Sequence, residues 1–501
     1  MAEEDLIKER LIKLEELNKK GINPFPHDFK PENLSSEIID KFASLKPAEK
    51  SGKNAKIAGR ITNKRGMGKI FFIDVQDSSG KIQLFFREEN IGEKYSLIKL
   101  LDAGDFIGAE GDVFRTKAGE ISIDVNDFTL LAKSIRPLPE KYHGLTNVET
   151  RYRQRYLDLI TNDEARSIFK TRSRIISKLR SDLTSNGFME FETPTIQPIY
   201  GGANARPFTT YHNYLDQKLY LRIAPELYLK RLIVGGFEKV FEIAKNFRNE
   251  DIDTHHNPEF TMVEIYSAYA DYNDMMSLTE DLISGIIQNA AGTSEVIFED
   301  EAINYATPWR RISMEEAVLI AAGIDIHAQT VEELRERAEK ERIDGWEKAA
   351  TPGEFLVLFF EHYVEPTLIQ PTFIYDFPIE NSPLAKKHRT KPGFTERFEL
   401  FIAGMEIANG FSELNDPLDQ KARFEEQDAK RQRGDLEAQM IDYDFINALG
   451  YGMPPTGGVG IGIDRLVMLA TGQNSIKEVI LFPSMKPIRS GEEESEEEAS
   501  E

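Results

Sequence analysis

The sequence predicts an α+β protein with two domains: a small five-stranded β-barrel near the N-terminus, and a larger C-terminal domain built on an antiparallel sheet flanked by helices. Short β-rich runs punctuated by glycine fill residues 55–132. Beyond them helices mix with long strands, and no run of alternating strand–helix–strand units appears, so a doubly wound parallel sheet is not expected. At 501 residues the chain is also too long for one compact core.

The composition indicates a globular protein of a reducing compartment. The chain contains no cysteine, which excludes disulfides and thiolate metal sites. No stretch approaches the ~18 apolar residues that a membrane span needs. The N-terminus, MAEEDLIKER, lacks the apolar core of a secretory signal. We therefore expect a cytoplasmic protein that has no membrane partner.

The formal net charge of −23 disfavours tight, sequence-independent binding to a phosphate backbone, so no DNA partner is expected. Part of this charge lies in residues 491–501, which contain seven glutamates and no basic residue. Such a run is typical of a solvated, disordered tail. On composition alone, an acidic metabolic enzyme without a nucleic-acid partner is the competing interpretation.

Residues 1–50 are predicted to form a helical extension. Apolar residues recur at helical spacing over residues 5–20, and Gly21 follows as a stop signal. The other faces of this helix carry lysine and arginine, which suit either a solvated surface or contact with a nucleic-acid backbone.

Residues 51–136 are predicted to form a barrel of the OB type, whose open face suits single-stranded nucleic acid. Residues 77–80 are predicted to be a hairpin turn. Because neighbouring strand residues point to opposite faces, at most one of Phe71 and Phe72 is available to a base. Aromatic planes and nearby cations are what splayed bases require, and the barrel supplies Arg60, Lys64, Arg65, Lys69, Phe71, Phe72 and Phe85.

The rest of the chain divides into a linker and a large domain. Residues 137–160 are expected to be a linker that leads into a helix, and residues 161–490 to form the C-terminal domain. Within it, residues from about 312 to 372 carry helical patterns such as VEELRERAEK. This segment is interpreted as a helical insertion.

Residues 219–270 contain the most informative pattern. LYLRIA is predicted to be a strand, PELYLKRLIVGG a helix with proline in its first turn, and KVFEIAKNFRNE and EFTMVEIYSAYA two further strands. Period-two alternation places Phe260, Glu264 and Tyr266 on one face of the last strand, with Arg248 on the strand before it. Since the opposite faces are apolar, we expect the floor of a site for a small polar ligand. A solvated sheet face with a surface arginine–glutamate pair is the alternative.

Three segments resemble the motifs of class II aminoacyl-tRNA synthetases. NGFMEFETPTI, with Pro194, resembles the first motif, FRNE followed by HNPEFTMVE the second, and GGVGIGIDRL, with Arg465, the third. They occur in the family's order, and an OB barrel before them is similar to the subclass for lysine, aspartate and asparagine. The resemblance covers nearly the whole chain except the acidic tail.

The glycines of the third segment could be mistaken for a nucleotide-binding loop. The chain has no GxxxxGK[ST] loop, and no ribose-binding acid follows a strand–glycine–helix unit. We interpret the segment as a strand whose glycines let a ligand approach, running into a helix that Asp464 starts as its cap. Arg465 is then expected in the first turn of that helix, where phosphate is favoured.

The resemblance implies the activity of a ligase. Such an enzyme activates L-lysine with ATP to lysyl-adenylate and pyrophosphate, then transfers the lysyl group to the 3′ end of tRNA(Lys). It also implies Mg²⁺ as cofactor and a homodimer whose interface includes the first motif. Activation requires alignment and charge neutralisation rather than a general base, because the substrate carboxylate is already a nucleophile.

The resemblance also implies roles for individual residues near the nucleotide. Arg248 is expected to bridge the lysine carboxylate and the α-phosphate, and Arg465 to hold the γ-phosphate, so both are the predicted catalytic residues. The further residues implied are Glu250, His256 and Phe260 for ATP, with Phe260 stacked on adenine, and Glu399 and Glu406 for magnesium, with Glu399 also in the ATP set.

The predicted amino-acid pocket is rich in carboxylates, whereas an aspartate substrate would need an arginine there. A buried ammonium is costly unless it is paired, so these carboxylates suit a cationic substrate. By resemblance, Glu264, Tyr266 and Glu413 hold the ε-ammonium, and Glu226 with the Gly202 backbone holds the α-amine. The full implied set for lysine is Gly202, Glu226, Arg248, Glu264, Tyr266, Asn409, Phe411 and Glu413. In the barrel, the resemblance implies anticodon contacts from Arg60, Phe72 and Gln83.

Three alternatives stand beside this interpretation. An aspartate- or asparagine-specific relative is disfavoured by the glutamate-rich pocket. A paralogue that attaches lysine-like groups to a protein is disfavoured because such relatives lack the barrel. A non-catalytic RNA-binding protein on a decayed synthetase scaffold would have no need of Arg248, Arg465, Glu399 and Glu406, all of which are present.

Overall fold

The computed structural model describes residues 3–139, 145, 147–434 and 437–487. The chain divides into two compact units, Met1–Thr146 and Asn147–Glu501. The acidic run at residues 491–501 lies outside the described residues, as does part of the predicted linker. Among the residues that are described, no helix is both long enough and apolar enough to cross a membrane.

The N-terminal unit contains the predicted OB-type barrel, which is closed by five strands in the order β1-β2-β3-β5-β4. Residues 77–80 form the turn between β2 and β3, and the Asp77 amide donates to the Gly80 carbonyl. The elements are α1 (Glu3–Lys19), α2 (Ser35–Lys41), β1 (Lys50–Met67), β2 (Ile70–Gln76), β3 (Lys81–Arg87), α3 (Glu88–Ile91), β4 (Phe106–Arg115) and β5 (Ile121–Ala132).

Alternation along β2 sorts its side chains as predicted. Ile73 and Val75 are fully buried in the barrel, and Phe71 packs against the same core. Phe72 lies on the outer face, where its ring stacks on that of Phe85 at a centroid distance of 4.8 Å. The prediction that the two adjacent phenylalanines lie on opposite faces of the strand, one of them towards the core, is therefore confirmed.

The C-terminal unit is built on an eight-stranded sheet with the order β14-β15-β16-β17-β18-β11-β10-β6. Its strands, and those of two small sheets, are β6 (Met189–Glu190), β7 (Ile196–Gln197), β8 (Thr209–His212), β9 (Gln217–Leu221), β10 (Lys239–Phe247), β11 (Glu259–Ala268), β12 (Glu295–Phe298), β13 (Glu301–Asn304), β14 (Arg310–Ser313), β15 (Thr372–Pro378), β16 (Phe394–Ile402), β17 (Met405–Ser412) and β18 (Thr456–Gly462).

Helices surround this sheet, and three of them lie between β14 and β15, in the region interpreted as an insertion. They are α4 (Val148–Arg153), α5 (Arg155–Thr161), α6 (Asp163–Ser185), α7 (Glu226–Val234), α8 (Tyr272–Ala291), α9 (Met314–Ala322), α10 (Val331–Glu341), α11 (Pro352–Tyr363), α12 (Pro417–Gln432), α13 (Tyr443–Gly450), α14 (Ile463–Thr471) and α15 (Ile476–Val479).

The sheet is largely antiparallel, as predicted, with one parallel strand at each edge. The six central strands are antiparallel, but β14 pairs parallel with β15 and β6 pairs parallel with β10. Parallel neighbours cannot be joined by a tight turn and need a long crossover. The helices α9–α11 supply one crossover, and the segment from β7 to α7 supplies the other.

The two faces of the sheet differ in polarity. Apolar side chains of β10 and β11, including Phe241, Val263 and Ile265, pack with α6, α8 and α14 in the largest hydrophobic core. Residues one position away on the same strands, such as Glu264 and Tyr266, point to the opposite face. That face therefore remains open to carry a polar site.

Candidate active site and candidate nucleic-acid face

A cavity of about 420 Å³ opens on the polar face of the sheet in the C-terminal unit. Strands β11, β16, β17 and β18 supply its floor, and the start of α7 and of α14 supply its ends. Every residue predicted for lysine, ATP or magnesium lines it: Gly202, Glu226, Arg248, Glu250, His256, Phe260, Glu264, Tyr266, Glu399, Glu406, Asn409, Phe411, Glu413 and Arg465.

One end of the cavity is acidic and buried. The Tyr266 hydroxyl donates to a Glu264 carboxylate oxygen at 2.7 Å, and Glu413 lies beside them at the end of β17. Burial raises the pKa of Glu264 to about 8 and raises the pKa of Tyr266 and of Glu413 well above their usual values. Glu413 forms an ion pair with the Lys230 ammonium, whereas Glu264 forms no ion pair within the part of the chain that the structure describes. This end can therefore receive an ammonium group.

A glycine of β18 makes room for these side chains. A β-carbon at Gly458 would collide with the Glu413 carboxylate and, at 2.6 Å, with the Tyr266 ring. The sequence predicted that glycines of this strand let a ligand approach. At Gly458 the space is instead taken by the carboxylate and ring that line the pocket.

Lys230, which the sequence did not single out, borders the acidic end of the cavity. Its side chain is fully buried, and its ammonium forms ion pairs with Glu226 and Glu413. The same nitrogen lies 5.2 Å from the centroid of the Phe411 ring and 5.9 Å from that of Tyr266. The sequence does contain a signal for the Glu226 contact, because Lys230 follows Glu226 by four residues and the two side chains therefore share one face of α7.

The residues predicted to bind the α-amine lie where α7 begins. Glu226 is the first residue of α7 and is buried, and Gly202 lies against it with φ of +89°. The Gly202 amide donates to the Gln439 side chain at 3.1 Å. An ammonium group only donates, so its acceptor on the Gly202 backbone would be the carbonyl. Gln439 was not predicted, because nothing local in the sequence links it to residue 202.

Cationic side chains occupy the other end of the cavity. The Arg248 guanidinium stacks on the Phe260 ring at 5.0 Å, and burial lowers the pKa of this arginine. Its buried Nε atom has no hydrogen-bond partner among the described residues. A fork-shaped donor with unused capacity suits a carboxylate or phosphate ligand. Glu242, on the same strand face, does not line the cavity because it pairs with Arg222.

Arg465 lies in the first turn of α14, as predicted. It donates to the Glu406 carbonyl at 2.6 Å and to Nε2 of His256 at 3.1 Å. His256 Nε2 is then the acceptor, so the ring proton lies on Nδ1, which is 2.8 Å from Asp253. The prediction that Asp464 caps α14 is wrong. The helix begins at Ile463 after Gly462, and Asp464 instead binds the Arg172 guanidinium and the Thr261 amide.

Glu399 and Glu406 line the cavity near the same arginines. Burial and the neighbouring Glu406 raise the pKa of Glu399 to about 8, although Arg397 and Asn409 donate to it. Glu365, which the sequence analysis did not single out, has its pKa raised to about 7, chiefly by burial. No group of three or more histidine, aspartate or glutamate side chains in the described ranges is arranged to hold a metal. The two carboxylates suit Mg²⁺ that takes its other ligands from phosphates and water.

The barrel of the N-terminal unit brings two of its three predicted residues together. Phe72 and Gln83 lie on the outer faces of the paired strands β2 and β3, with Arg65 5.8 Å from the Phe72 ring. Gln83, however, is buried, donates to Glu120 and accepts from Ser122. The third residue lies elsewhere on β1: the Arg60 guanidinium stacks on Phe106 at 4.3 Å and donates to the Gly104 carbonyl.

Two family models match the chain. The model described as tRNA synthetases class II (D, K and N) matches residues 147–486, and the model described as OB-fold nucleic acid binding domain matches residues 55–131. The chain therefore belongs to the class II tRNA synthetases of the aspartate, lysine and asparagine group, enzymes that form aminoacyl-tRNA and use ATP.

Curated relatives are similar over nearly the full length. The chain is 64% identical over 479 residues to the lysine–tRNA ligase of Methanoculleus marisnigri, covering 95% of this chain and 94% of that protein. It is 62% identical to the lysine–tRNA ligase of Methanospirillum hungatei, covering 95% of each. The lysine–tRNA ligase of Syntrophomonas wolfei is 55% identical, over 96% of this chain and 97% of its own.

Proposed function

We propose that this protein is a lysine–tRNA ligase, which forms lysyl-adenylate from L-lysine and ATP and then transfers the lysyl group to tRNA(Lys). The observation that carries the proposal is the acidic end of the cavity. Glu226, Glu264 and Glu413 are all buried there, and within the described residues a single ammonium, that of Lys230, pairs with members of this group of three carboxylates. Buried carboxylates select a cationic ligand, because a neutral one would leave them unpaired.

The two ends of the cavity orient the substrate. Glu264, Tyr266 and Glu413 hold the ε-ammonium, while Glu226 and the Gly202 carbonyl hold the α-amine. Those contacts direct the lysine carboxylate towards Arg248 at the other end. Binding both partners in one geometry supplies most of what the reaction needs, because the carboxylate oxygen attacks the α-phosphorus without a proton transfer.

The phosphates lie among the cationic side chains. Arg248 bridges the lysine carboxylate and the α-phosphate, and it stabilises negative charge that develops during the attack. Arg465 holds the γ-phosphate, Phe260 stacks on adenine, and Glu250 and His256 contact the nucleotide.

The carboxylates of Glu399 and Glu406 would hold Mg²⁺, with Asn409 positioning Glu399 through its amide. Bound there, the ion neutralises phosphate charge. The proximity of Glu406 and Glu365 to Glu399 supports this assignment, since both carboxylates contribute to the raised pKa of Glu399 and a cation beside it would offset their repulsion.

The barrel is proposed to bind the anticodon through its outer face. Phe72, stacked on Phe85 and flanked by Arg65, offers an aromatic plane beside a cation. For Gln83, binding of a base would require its amide to exchange the Glu120 contact for one to the base. Arg60, farther along β1, is proposed as a further contact to the anticodon.

A homodimer is the proposed assembly. Met189 and Ile196 of the first motif are apolar yet 53% and 51% exposed in the single chain, which suits burial against a second copy. Light scattering of the wild type is expected to give the mass of two chains, and the double variant Met189→Glu/Ile196→Glu the mass of one. A monomeric wild type would refute this assembly.

The experiment that tests the function is ATP–pyrophosphate exchange with purified protein and magnesium, one amino acid at a time, without tRNA. We expect exchange with lysine alone among the twenty. Exchange with aspartate or asparagine would overturn the pocket assignment while leaving the family membership intact. No exchange with any amino acid would refute adenylate formation.

A further inference from the structure

A buried lysine lies behind the wall of the amino-acid pocket. Lys230 belongs to α7, is fully buried and does not line the cavity, yet its ammonium contacts Glu226 and Glu413, which do. The Phe411 and Tyr266 rings cover the same ammonium. The carboxylates and aromatic rings around Lys230 are the groups that the ammonium of a substrate lysine would require, but here they surround a lysine of the protein itself.

The charges around the pocket can be counted. Glu226, Glu264 and Glu413 carry three negative charges when ionised, and Lys230 carries one positive charge, which leaves two. A lysine substrate brings two ammonium groups, while its carboxylate faces Arg248. With Lys230 in place, the two substrate ammonium groups neutralise the two remaining negative charges of the pocket. Without Lys230, one buried carboxylate would stay unpaired, which is costly.

We propose that Lys230 is a positioning residue that keeps Glu226 and Glu413 ionised before lysine binds, and so sets the number of positive charges that the pocket accepts. This inference rests on the proposed function. Lys230 would act through the two carboxylates and would not touch the substrate.

The surrounding groups agree with this role. The close contacts of the Lys230 ammonium with Glu226 and Glu413 favour the ionised carboxyls. Burial raises the pKa of both carboxyls even so, and the Lys230 ammonium is the strongest influence that opposes the rise. Burial would lower the pKa of Lys230, but the two carboxylates outweigh burial and raise it. The other charged or titratable groups near this cluster are Glu264 and Tyr266 on β11, Glu242 on β10 and Arg397 on β16.

The test begins with the wild-type protein. Calorimetric titration with lysine at pH 7, in two buffers of different ionisation enthalpy, counts the protons released on binding. We expect close to one, from Glu264, whose pKa of about 8 leaves it protonated in the free protein. Release of two or more protons would overturn the inference, because Glu226 or Glu413 would then be neutral despite Lys230.

The central variant is Lys230→Met, which keeps the length of the side chain and removes its charge. At pH 7 we expect the KM for lysine to rise on the order of ten- to a hundredfold, with the KM for ATP unchanged and more than one proton released. The defect should shrink as the pH rises to 9, because the carboxyls then ionise without help. A folded variant with an unshifted pH profile, or with the same loss at every pH, would overturn the inference.

Two further variants separate charge from packing. Lys133→Met removes another fully buried lysine, paired with Asp102 and Asp105 in the N-terminal unit, and should leave lysine-dependent exchange and its pH profile unchanged. If Lys230→Met fails to fold, Lys230→Met/Glu226→Gln restores the charge balance. Because Glu413 still lacks the Lys230 ammonium in this double variant, the acid limb of its lysine KM profile should lie at higher pH than that of Glu226→Gln alone. Coinciding profiles would overturn the inference. Absence of lysine-dependent exchange in the wild type would instead refute the proposed function.

Discussion

The two ends of the cavity are built in opposite ways. The amino-acid end is acidic, buried and already organised: Glu226 and Glu413 pair with Lys230, and Tyr266 donates to Glu264. The nucleotide end is cationic and more open, with Arg248 retaining an unused donor and His256 exposed. The specificity end is thus part of the folded core, whereas the nucleotide end acquires its partners only when ligands bind. Variants at the two ends should therefore fail in different ways.

The largest effect is expected from Arg248→Lys at the nucleotide end. An ammonium cannot bridge a carboxylate and a phosphate as a rigid guanidinium fork does, so the rate of exchange should fall about a hundred- to a thousandfold. The measurement is kcat for ATP–pyrophosphate exchange, with Arg337→Lys in α10 as the matched control. A loss below tenfold would mean that Arg248 does not contact the reacting groups.

Glu413→Gln at the amino-acid end should raise the KM for lysine by about a hundredfold and leave the KM for ATP nearly unchanged. The amide removes the charge that pairs with the substrate and leaves the Lys230 ammonium with one partner fewer. Steady-state exchange kinetics against both substrates measure the split, and Glu425→Gln on the exposed side of α12 is the control. Equal changes in both constants would place Glu413 outside the side-chain pocket.

The acidic end should also make lysine binding dependent on pH. Burial raises the pKa of Glu264 to about 8, and an ammonium can pair only with the ionised form. The KM for lysine should therefore decrease as the pH rises, on the order of tenfold between pH 6.5 and 8, and level off above pH 8. The KM for ATP over the same range is the internal control. A lysine KM that is constant, or that increases with pH, would contradict the raised pKa.

The smallest effect is expected from Phe72→Ala, in the other structural unit. Loss of one stacking plane costs ~1–3 kcal/mol per base, so kcat/KM for tRNA charging should fall about tenfold while exchange without tRNA is unchanged. Phe25→Ala, at a half-exposed phenylalanine of the same unit, is the control. If both activities decrease together, the barrel and the cavity do not act as separate sites.

Several features of this protein were determined by the sequence alone. Period-two alternation separated Phe71 from Phe72 and placed Glu264 and Tyr266 on one strand face, because strand geometry is set by neighbouring residues. The three motifs indicated the family, and the family resemblance implied residues that line the cavity.

Only the tertiary structure decided which distant elements meet. Lys230 lies between Glu226 and Glu413 because the face of α7 packs on the end of β17, and no local pattern links these elements. The parallel edge strands, the burial of Gln83 against Glu120 and Ser122, and the diversion of Asp464 to Arg172 have the same origin. Each of these contacts depends on a partner that is distant in the chain. Folding buries the two partners together, and in a low dielectric one particular pairing of charges or donors is much more favourable than the others.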